Sequence, residues 1–386
     1  MSKKICFVVT VALAAKNFLV WSFDEMHKAG YDISLICDMD KEYMNSLPEY
    51  VHTYPIKMER GVDPKGMITS IRQMKKIFKE ERFDIVQYST PNASLYASIA
   101  SKQAKTPVRL YCQWGMIYLG FEGIKRKIFQ ITEKITCNCS TDIQPDSKGN
   151  LDFCREHGFY DEKKSRIVWN GCANGLNTDK FDINKKEAYR KEIRNKYGFD
   201  ENTVVLGFLG RIGRDKGFNE LMICFQELRK KYDNVKLLYV GYNEKPETVD
   251  QSLLKYFEEC GDIVSTDGWV DDPQRYLSAM DIFLFPSYRE GFGNVVIEAE
   301  AMGVPVIVSD IPGPQNGMVD NVTGYKVPAR EWKPLYDKTC ELIEDKEKRE
   351  AFGQAGAEFS PSHFDSKVLI QKIIENRDWL INRGTI

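Results

Sequence analysis

Two glutamates eight residues apart, Glu290 and Glu298, bracket the stretch "REGFGNVVIE". A carboxylate accepts hydrogen bonds from paired hydroxyls, and a ribose or a hexose offers such pairs. Between the glutamates stand Gly291, Phe292, Gly293 and Asn294. The preceding "DIFLFPS" reads as a strand, and a helix is predicted from Asn294, so the glycines fall in a strand-to-helix turn. Missing side chains there let an anion approach backbone N–H groups at the positive end of the helix. Glu298 then sits about one turn inside the helix, on the face of Asn294, where it could take a ribose diol. Glu290 stays on the loop, open to a second polyol. A phosphate flanked by two hydroxyl acceptors describes a nucleotide-sugar pocket. The alternative is a capping loop with two solvated glutamates.

A second stretch, "LGRIGRDKGFNE", also follows a buried strand and precedes a helix. It carries Gly210, Arg211, Arg214 and Lys216 in a glycine-rich frame. Two fixed cations at a strand end suit a diphosphate. Alone this signal is weak. Two such loops in one domain, one for charge and one for hydroxyls, favour the pocket.

The elements that must position these loops form an α/β pattern. Strands are expected at 4–10, 31–37, 84–89, 108–114 and 139–145, with a helix over 66–81 whose inward face is Met67, Ile71, Met74 and Phe78. The N-terminal "MSKKICFVVTVALAAKN" imitates a secretory signal, but the amphipathic stretch and second apolar strand after it favour a buried first strand. Polar residues with Asn-Gly in "RIVWNGCANGLNTDKFD" mark a hinge. The alternation then restarts at "TVVLGFLG", with Phe218, Leu221, Phe225 and Leu228 on the inner face of the next helix. A last amphipathic helix starts near 366, with Val368, Ile370, Ile374 and Trp379 on its apolar side. Strand–helix alternation implies parallel pairing, because parallel strands need a crossover. The domains are therefore placed at 1–172 and 173–365, with the 366–386 helix packing back on the first.

Global properties remove other classes. A net charge of −2 over 386 residues argues against nucleic acid as a partner. No run of about 18 apolar residues exists to span a membrane. The ten cysteines contain no C-x-x-C pair and read as reduced core residues of a cytoplasmic protein. The D-x-D of "CDMD" (Asp38, Asp40) reads as a solvated strand end, so no metal site is assigned. A dehydrogenase is disfavoured, since no G-x-G-x-x-G follows the first strand.

Taken together, "EGFGNVVIE" and "GRIGRDKG" resemble the E-x7-E motif and the Arg…Lys diphosphate loop of family-4 retaining glycosyltransferases. The resemblance covers nearly the whole chain and is strongest from about 200 to 330. It implies the GT-B fold: two Rossmann-like, doubly wound parallel-sheet domains facing a cleft, with donor in the second domain and acceptor in the first. By position it implies Arg211 and Lys216 on the diphosphate, Glu298 on the ribose and Glu290 on the donor sugar. Gly210 and Gly291 to Asn294 would line the donor site, and the "GWVDD" turn at Val270 would receive the base. It implies a UDP-linked hexose or N-acetylhexosamine as donor, no metal or other cofactor, and a polyprenyl-diphosphate-linked or other saccharide acceptor. Asn17 and Trp114 fall on the acceptor side. The family's histidine beside a glycine is replaced by Gln113-Trp114-Gly115, and "TVALAAKN" lacks the usual glycines. A sugar-nucleotide epimerase and a non-catalytic partner subunit of a glycan-assembly complex are the alternatives.

One further segment bears on location. "GIKRKIFQITEKI" spaces Ile124, Ile128, Ile131 and Ile135 along one helical face beside Lys125, Arg126 and Lys127. The isoleucines either pack on the sheet, or rest with the cations and nearby Trp114, Tyr118 and Phe121 on the anionic inner face of the cytoplasmic membrane.

Overall fold

The computed structural model describes residues 2–58, 64–241, 248–266 and 268–383. The chain divides into two compact units. One comprises Met1–Asn174 with Lys367–Ile386, the other Gly175–Ser366. The sequence alone places this boundary at 172/173.

Each unit is built on a six-stranded sheet in which every pairing is parallel. In the first unit the strands are β1 (Lys3–Val11), β2 (Tyr31–Asp38), β3 (Val51–Pro55), β4 (Ile85–Tyr88), β5 (Val108–Gln113) and β6 (Asp142–Pro145), in the order β3-β2-β1-β4-β5-β6. In the second they are β7 (Val204–Leu209), β8 (Val235–Val240), β9 (Ile263–Ser265), β10 (Ile282–Phe285), β11 (Val306–Ser309) and β12 (Gly324–Val327), in the order β12-β11-β10-β7-β8-β9. Both are the doubly wound arrangement, whose strand order reverses beside the first strand. That switch point lies between β1 and β4 in one unit and between β7 and β10 in the other.

Such sheets are covered on both faces, so their strands carry apolar residues on each side. Along β1, Cys6 and Val8 enter one core and Ile5, Phe7 and Val9 the other. The first core takes Met74 and Phe78 from the Pro64–Glu81 helix, with Met67 and Ile71 half-buried beside them. The second is closed by the Ser366–Asn382 helix through Leu369, Ile370, Ile373 and Leu380. Val368 and Trp379, expected inward, are 42% and 46% exposed. Trp379 instead carries the Arg166 and Arg383 guanidinium groups on its ring, a contact that favours an exposed indole. From the same helix Arg377 is fully buried. It donates to Gln87 Oε1 at 2.9 Å, Gln144 Oε1 at 2.5 Å and Asn376 Oδ1 at 2.7 Å, neutral acceptors that help satisfy the buried charge.

Two expectations need correction. The strand placed at 139–145 starts only at Asp142, because the preceding helix runs from Gly123 to Cys139. Directly beyond Val11 the chain is helical over Ala12–Phe18. Asp40 does more than end a strand, since its carboxylate accepts from the Tyr43 N–H at 2.8 Å and caps Lys41–Ser46. In the second unit Phe218, Leu221, Phe225 and Leu228 are buried, as the helical spacing requires.

Glu300 sits at the centre of that unit with no solvent exposure. Its Oε2 accepts from Ser360 Oγ at 2.5 Å, while Oε1 is buried without a partner among the described residues. Burial pushes its carboxyl up to about 8, against opposing hydrogen bonds from Ser360 and Thr323. The folded chain therefore holds this proton through a range in which the unfolded chain releases it. Stability from this group is present below the ordinary carboxylate range and is lost as pH rises through about 8. The difference in Tm between Glu300→Gln and wild type should swing in favour of the glutamine by several degrees from pH 5.5 to 9, reflecting on the order of a few kcal/mol. A difference that stays constant across that range would show that Glu300 ionises normally.

Candidate active site

The two chemistry-bearing loops leave adjacent strands. β7 and β10 pair through Ile282 with Leu206 and Phe283 with Gly207, so residues 210–217 and 286–293 emerge side by side at the switch point. Gly217 ends the first loop at φ 72° and caps the Phe218–Lys231 helix. A Cβ there would collide with the Pro286 carbonyl oxygen of the neighbouring loop. Gly293 ends the second loop at φ 86° and caps the Asn294–Ala301 helix. Its Cβ would press on the Phe285 ring and Pro314 at 3.2 and 3.3 Å. Both positions need glycine for conformation as well as for space. The Asn294–Ala301 helix has no side-chain cap and no acidic residue in its first turn, so no carboxylate there opposes its positive end.

The side chains form an ion-pair array across the two loops. Lys216 Nζ lies 2.6 Å from Glu290 Oε1, with side chains only 21% and 13% exposed. Asp215 Oδ2 accepts from Arg211 Nη2 at 2.5 Å and from Arg289 Nη2 at 2.9 Å. The Tyr288 N–H donates to the Asp215 carbonyl at 2.9 Å, and the Tyr288 hydroxyl donates to Glu220 Oε1 at 2.6 Å. Burial alone would raise the Asp215 carboxyl, but Arg211, Arg289 and Lys216 outweigh it and hold it below its ordinary value. Glu298 behaves in the opposite way. Burial pushes it up to about 7, and Lys180 offsets only part of this. A site holding cations, a shared carboxylate and a carboxyl that titrates near neutrality has the character expected of a functional centre.

The residues picked from sequence are thus largely gathered. Gly210, Arg211, Lys216, Glu290, Gly291, Gly293, Asn294 and Glu298 occupy these loops and the helix behind them. Phe292 is different. Its ring is buried edge-on to Phe364 at 5.1 Å, so the side chain anchors the loop and does not present itself to a ligand. Val270 is half-buried on a third loop, beyond the edge strand β9. There Trp269 is 67% exposed, its Nε1 donates to Asp271 Oδ1 at 3.2 Å, and Lys180 Nζ donates to the Asp271 carbonyl at 2.8 Å. Sequence reasoning missed Asp215 and Arg289. Their signal was present, as acidic and basic neighbours of the assigned residues, but their pairing across the loops depends on the β7–β10 register.

The first unit has its own switch point. Thr10 N–H and hydroxyl meet the Thr90 hydroxyl at 3.0 and 2.8 Å, joining the ends of β1 and β4. Thr90 itself is at φ 66°, ψ 145°, a conformation that L-residues avoid and β-branched ones most of all. Asn17 lies in the first helix, its carbonyl accepting from Asn174 Nδ2 at 3.3 Å. Trp114 stands half-buried beside Phe18, with ring centroids 4.9 Å apart. Gln113 is fully buried and bound on both ends of its amide, donating to Glu133 Oε1 at 2.5 Å and accepting from the Tyr160 hydroxyl at 2.9 Å. Burial pushes Glu133 up to about 7 despite the hydrogen bonds from Gln113 and Tyr111.

The Gly123–Cys139 helix overturns the reading in which its isoleucines pack on the sheet. Ile124, Ile128, Ile131 and Ile135 are 77%, 44%, 58% and 38% exposed, and Lys125, Arg126 and Lys127 are exposed beside them. The residues it buries are Glu133, Thr136 and Cys137. The apolar stripe faces out and a carboxyl faces in, because Tyr111 and Gln113 receive that carboxyl inside. Tyr118, however, is buried against Phe159 and Phe121 stacks on Phe129, so Tyr118 cannot join an external surface. Among the described residues no helix is long and apolar enough to cross a membrane.

Comparisons with known proteins agree with this architecture. The family model "Glycosyl transferases group 1" matches residues 189–359, and "Glycosyl transferase 4-like" matches residues 4–147. The capsular polysaccharide biosynthesis glycosyltransferase CapM of Staphylococcus aureus is 30% identical over 96% of both chains. The UDP-Gal:alpha-D-GlcNAc-diphosphoundecaprenol alpha-1,3-galactosyltransferase of Escherichia coli is 25% identical, covering 78% of this chain and 76% of its own. Among solved structures, Anabaena HepE in complex with UDP and glucose superposes with a TM-score of 0.76 at 18% identity, covering 97% of this chain and 99% of the other.

Proposed function

The chain belongs to the group 1 glycosyl transferases and has the GT-B fold, and on that premise we propose that it moves a hexose or N-acetylhexosamine from a UDP-sugar, with retention, to a saccharide carried on a polyprenyl diphosphate in the synthesis of a cell-surface polysaccharide. The observation that carries this reading is the pairing of a cationic loop with a carboxylate loop at one switch point, joined by Lys216 and Glu290. The names of the S. aureus and E. coli relatives support the pathway and the lipid-borne acceptor. The UDP in the Anabaena structure supports the nucleotide only through a shared fold.

In this reading the donor diphosphate lies across Arg211, Lys216 and the N-terminus of the Asn294–Ala301 helix. Negative charge grows on the leaving diphosphate as the glycosidic bond breaks, and fixed cations in a water-poor site stabilise it. Glu298 takes the ribose hydroxyls and Glu290 the donor sugar, so donor binding frees Lys216 from Glu290 for the phosphate. The turn at Val270 receives the base. No side chain is assigned as a nucleophile. The acceptor attacks from the face the diphosphate leaves, and that phosphate accepts the acceptor's proton. Asn17 and Trp114 line the acceptor side in the first unit.

Arg211→Ala and Lys216→Ala should each lower kcat/KM by at least about 10²-fold, near 2.7 kcal/mol of transition-state stabilisation. Rates close to wild type in both would refute the diphosphate assignment. Because side chains supply the positive charge, EDTA should leave turnover intact; loss of activity restored by Mg²⁺ or Mn²⁺ would overturn that.

The exposed isoleucine stripe with Lys125, Arg126 and Lys127 is the surface we assign to the anionic inner face of the cytoplasmic membrane. Each cation near such a surface contributes about 1 kcal/mol, giving weak, salt-sensitive attachment that brings the enzyme to a lipid-borne acceptor. Sedimentation with phosphatidylglycerol vesicles should fall with added salt and with the Lys125/Arg126/Lys127→Glu triple variant. Equal sedimentation of variant and wild type, or none of either, refutes this surface.

A further inference from the structure

Asp215 is a carboxylate that two arginines from two different loops share. Arg211 reaches it from within its own loop and Arg289 from the facing loop, both on Oδ2. The backbone repeats the link, through the Tyr288 N–H on the Asp215 carbonyl. The next residue, Lys216, bridges the same pair of loops through Glu290. All these side chains are largely covered, Arg211 and Asp215 at 20% and 22% exposed and Arg289 at 30%. Arg289 Nε is buried and finds no partner among the described residues, so its contact with Asp215 is the polar anchor seen for that guanidinium.

We propose that Asp215 is a positioning residue of the donor site, holding the Arg211 guanidinium where the donor diphosphate binds, with Arg289 clamping Asp215 from the other loop. This rests on the assignment of Arg211 to the diphosphate given above. An arginine has several rotatable bonds, and ordering them at the moment of binding costs affinity. A carboxylate that fixes the guanidinium beforehand removes that cost, and one fixed from both loops also sets the loop spacing. Asp215 nonetheless brings a negative charge towards an anionic ligand. Two opposite effects are therefore in play, and they predict opposite signs. If positioning dominates, removing the carboxylate weakens donor binding. If Asp215 is merely a competing counter-ion, removing it strengthens donor binding.

The test is calorimetric titration of UDP into the full chain. Variants are Asp215→Ala, Asp215→Asn, Arg289→Ala, Arg211→Ala and the Arg211→Ala/Asp215→Ala pair. Asp215→Ala should raise the Kd for UDP about tenfold or more, and Arg289→Ala should raise it less. In the Arg211→Ala background Asp215→Ala should add little, since the guanidinium it positions is gone. Should Asp215→Ala fail to fold, Asp215→Asn carries the same comparison, with the same sign expected. Unchanged or tighter UDP binding in the Asp215 variants, alongside weaker binding in Arg211→Ala, would overturn the positioning role and leave the diphosphate assignment standing. Fully additive losses would also overturn it, because Asp215 would then act independently of Arg211. Unaltered UDP binding in Arg211→Ala would overturn both.

Discussion

Parallel strands cannot be joined by a tight turn, and the rest of this structure follows from that constraint. Each crossover must travel back over a face of the sheet, so consecutive strands run outward in one direction and then in the other. Where the direction reverses, the loops after two neighbouring strands part to opposite faces and leave a gap at the sheet edge. In the second unit that gap lies beyond β7 and β10. The two loops with the most chemistry are the two that flank it. Gly217 packs on the Pro286 carbonyl, closer than any side chain would permit, so the loops stay in contact at their base.

Each of three cations on the two loops has a carboxylate partner, three positive charges against two negative. Lys216 has Glu290, while Arg211 and Arg289 share Asp215. A covered cation without a partner costs several kcal/mol of desolvation, which these carboxylates offset. The arrangement also sets different electrostatic conditions for the carboxyls. Asp215 is kept ionised by three cations, whereas Glu298 and Glu300, behind the loop, are pushed up by burial. Carboxyls of one chemical type thus differ in protonation according to what surrounds them.

The first unit uses the same frame for other ends. At its switch point a strained Thr90 joins the ends of β1 and β4, where the second unit has glycines. Its Gly123–Cys139 helix inverts the usual economy of a surface helix, burying a glutamate and exposing isoleucines. The buried network of Tyr111, Gln113, Glu133 and Tyr160 fixes that orientation from inside. Gln113 is thereby occupied on both ends of its amide. Trp114, one residue on, is half-buried beside Phe18.

The amino-acid sequence by itself determined the α/β class, the restart of the alternation near 200, and the two loops where glycines, cations and carboxylates gather past a strand. These are local properties: strand and helix periods, glycines at turns, and cations or carboxylates just past a strand. It also marked Ile124, Ile128, Ile131 and Ile135 as one face, because spacing along a helix is local too. Which way that face points was decided only in three dimensions, where the interior already held partners for Glu133 and none for a stripe of isoleucines. The inward turn of the Phe292 ring, the outward turn of Trp379 and the sharing of Asp215 by Arg211 and Arg289 were likewise settled by the fold. Residues 215 and 289 are distant in the chain. They meet because β10 pairs with β7, and strand order is a property of the whole sheet that no local spacing encodes.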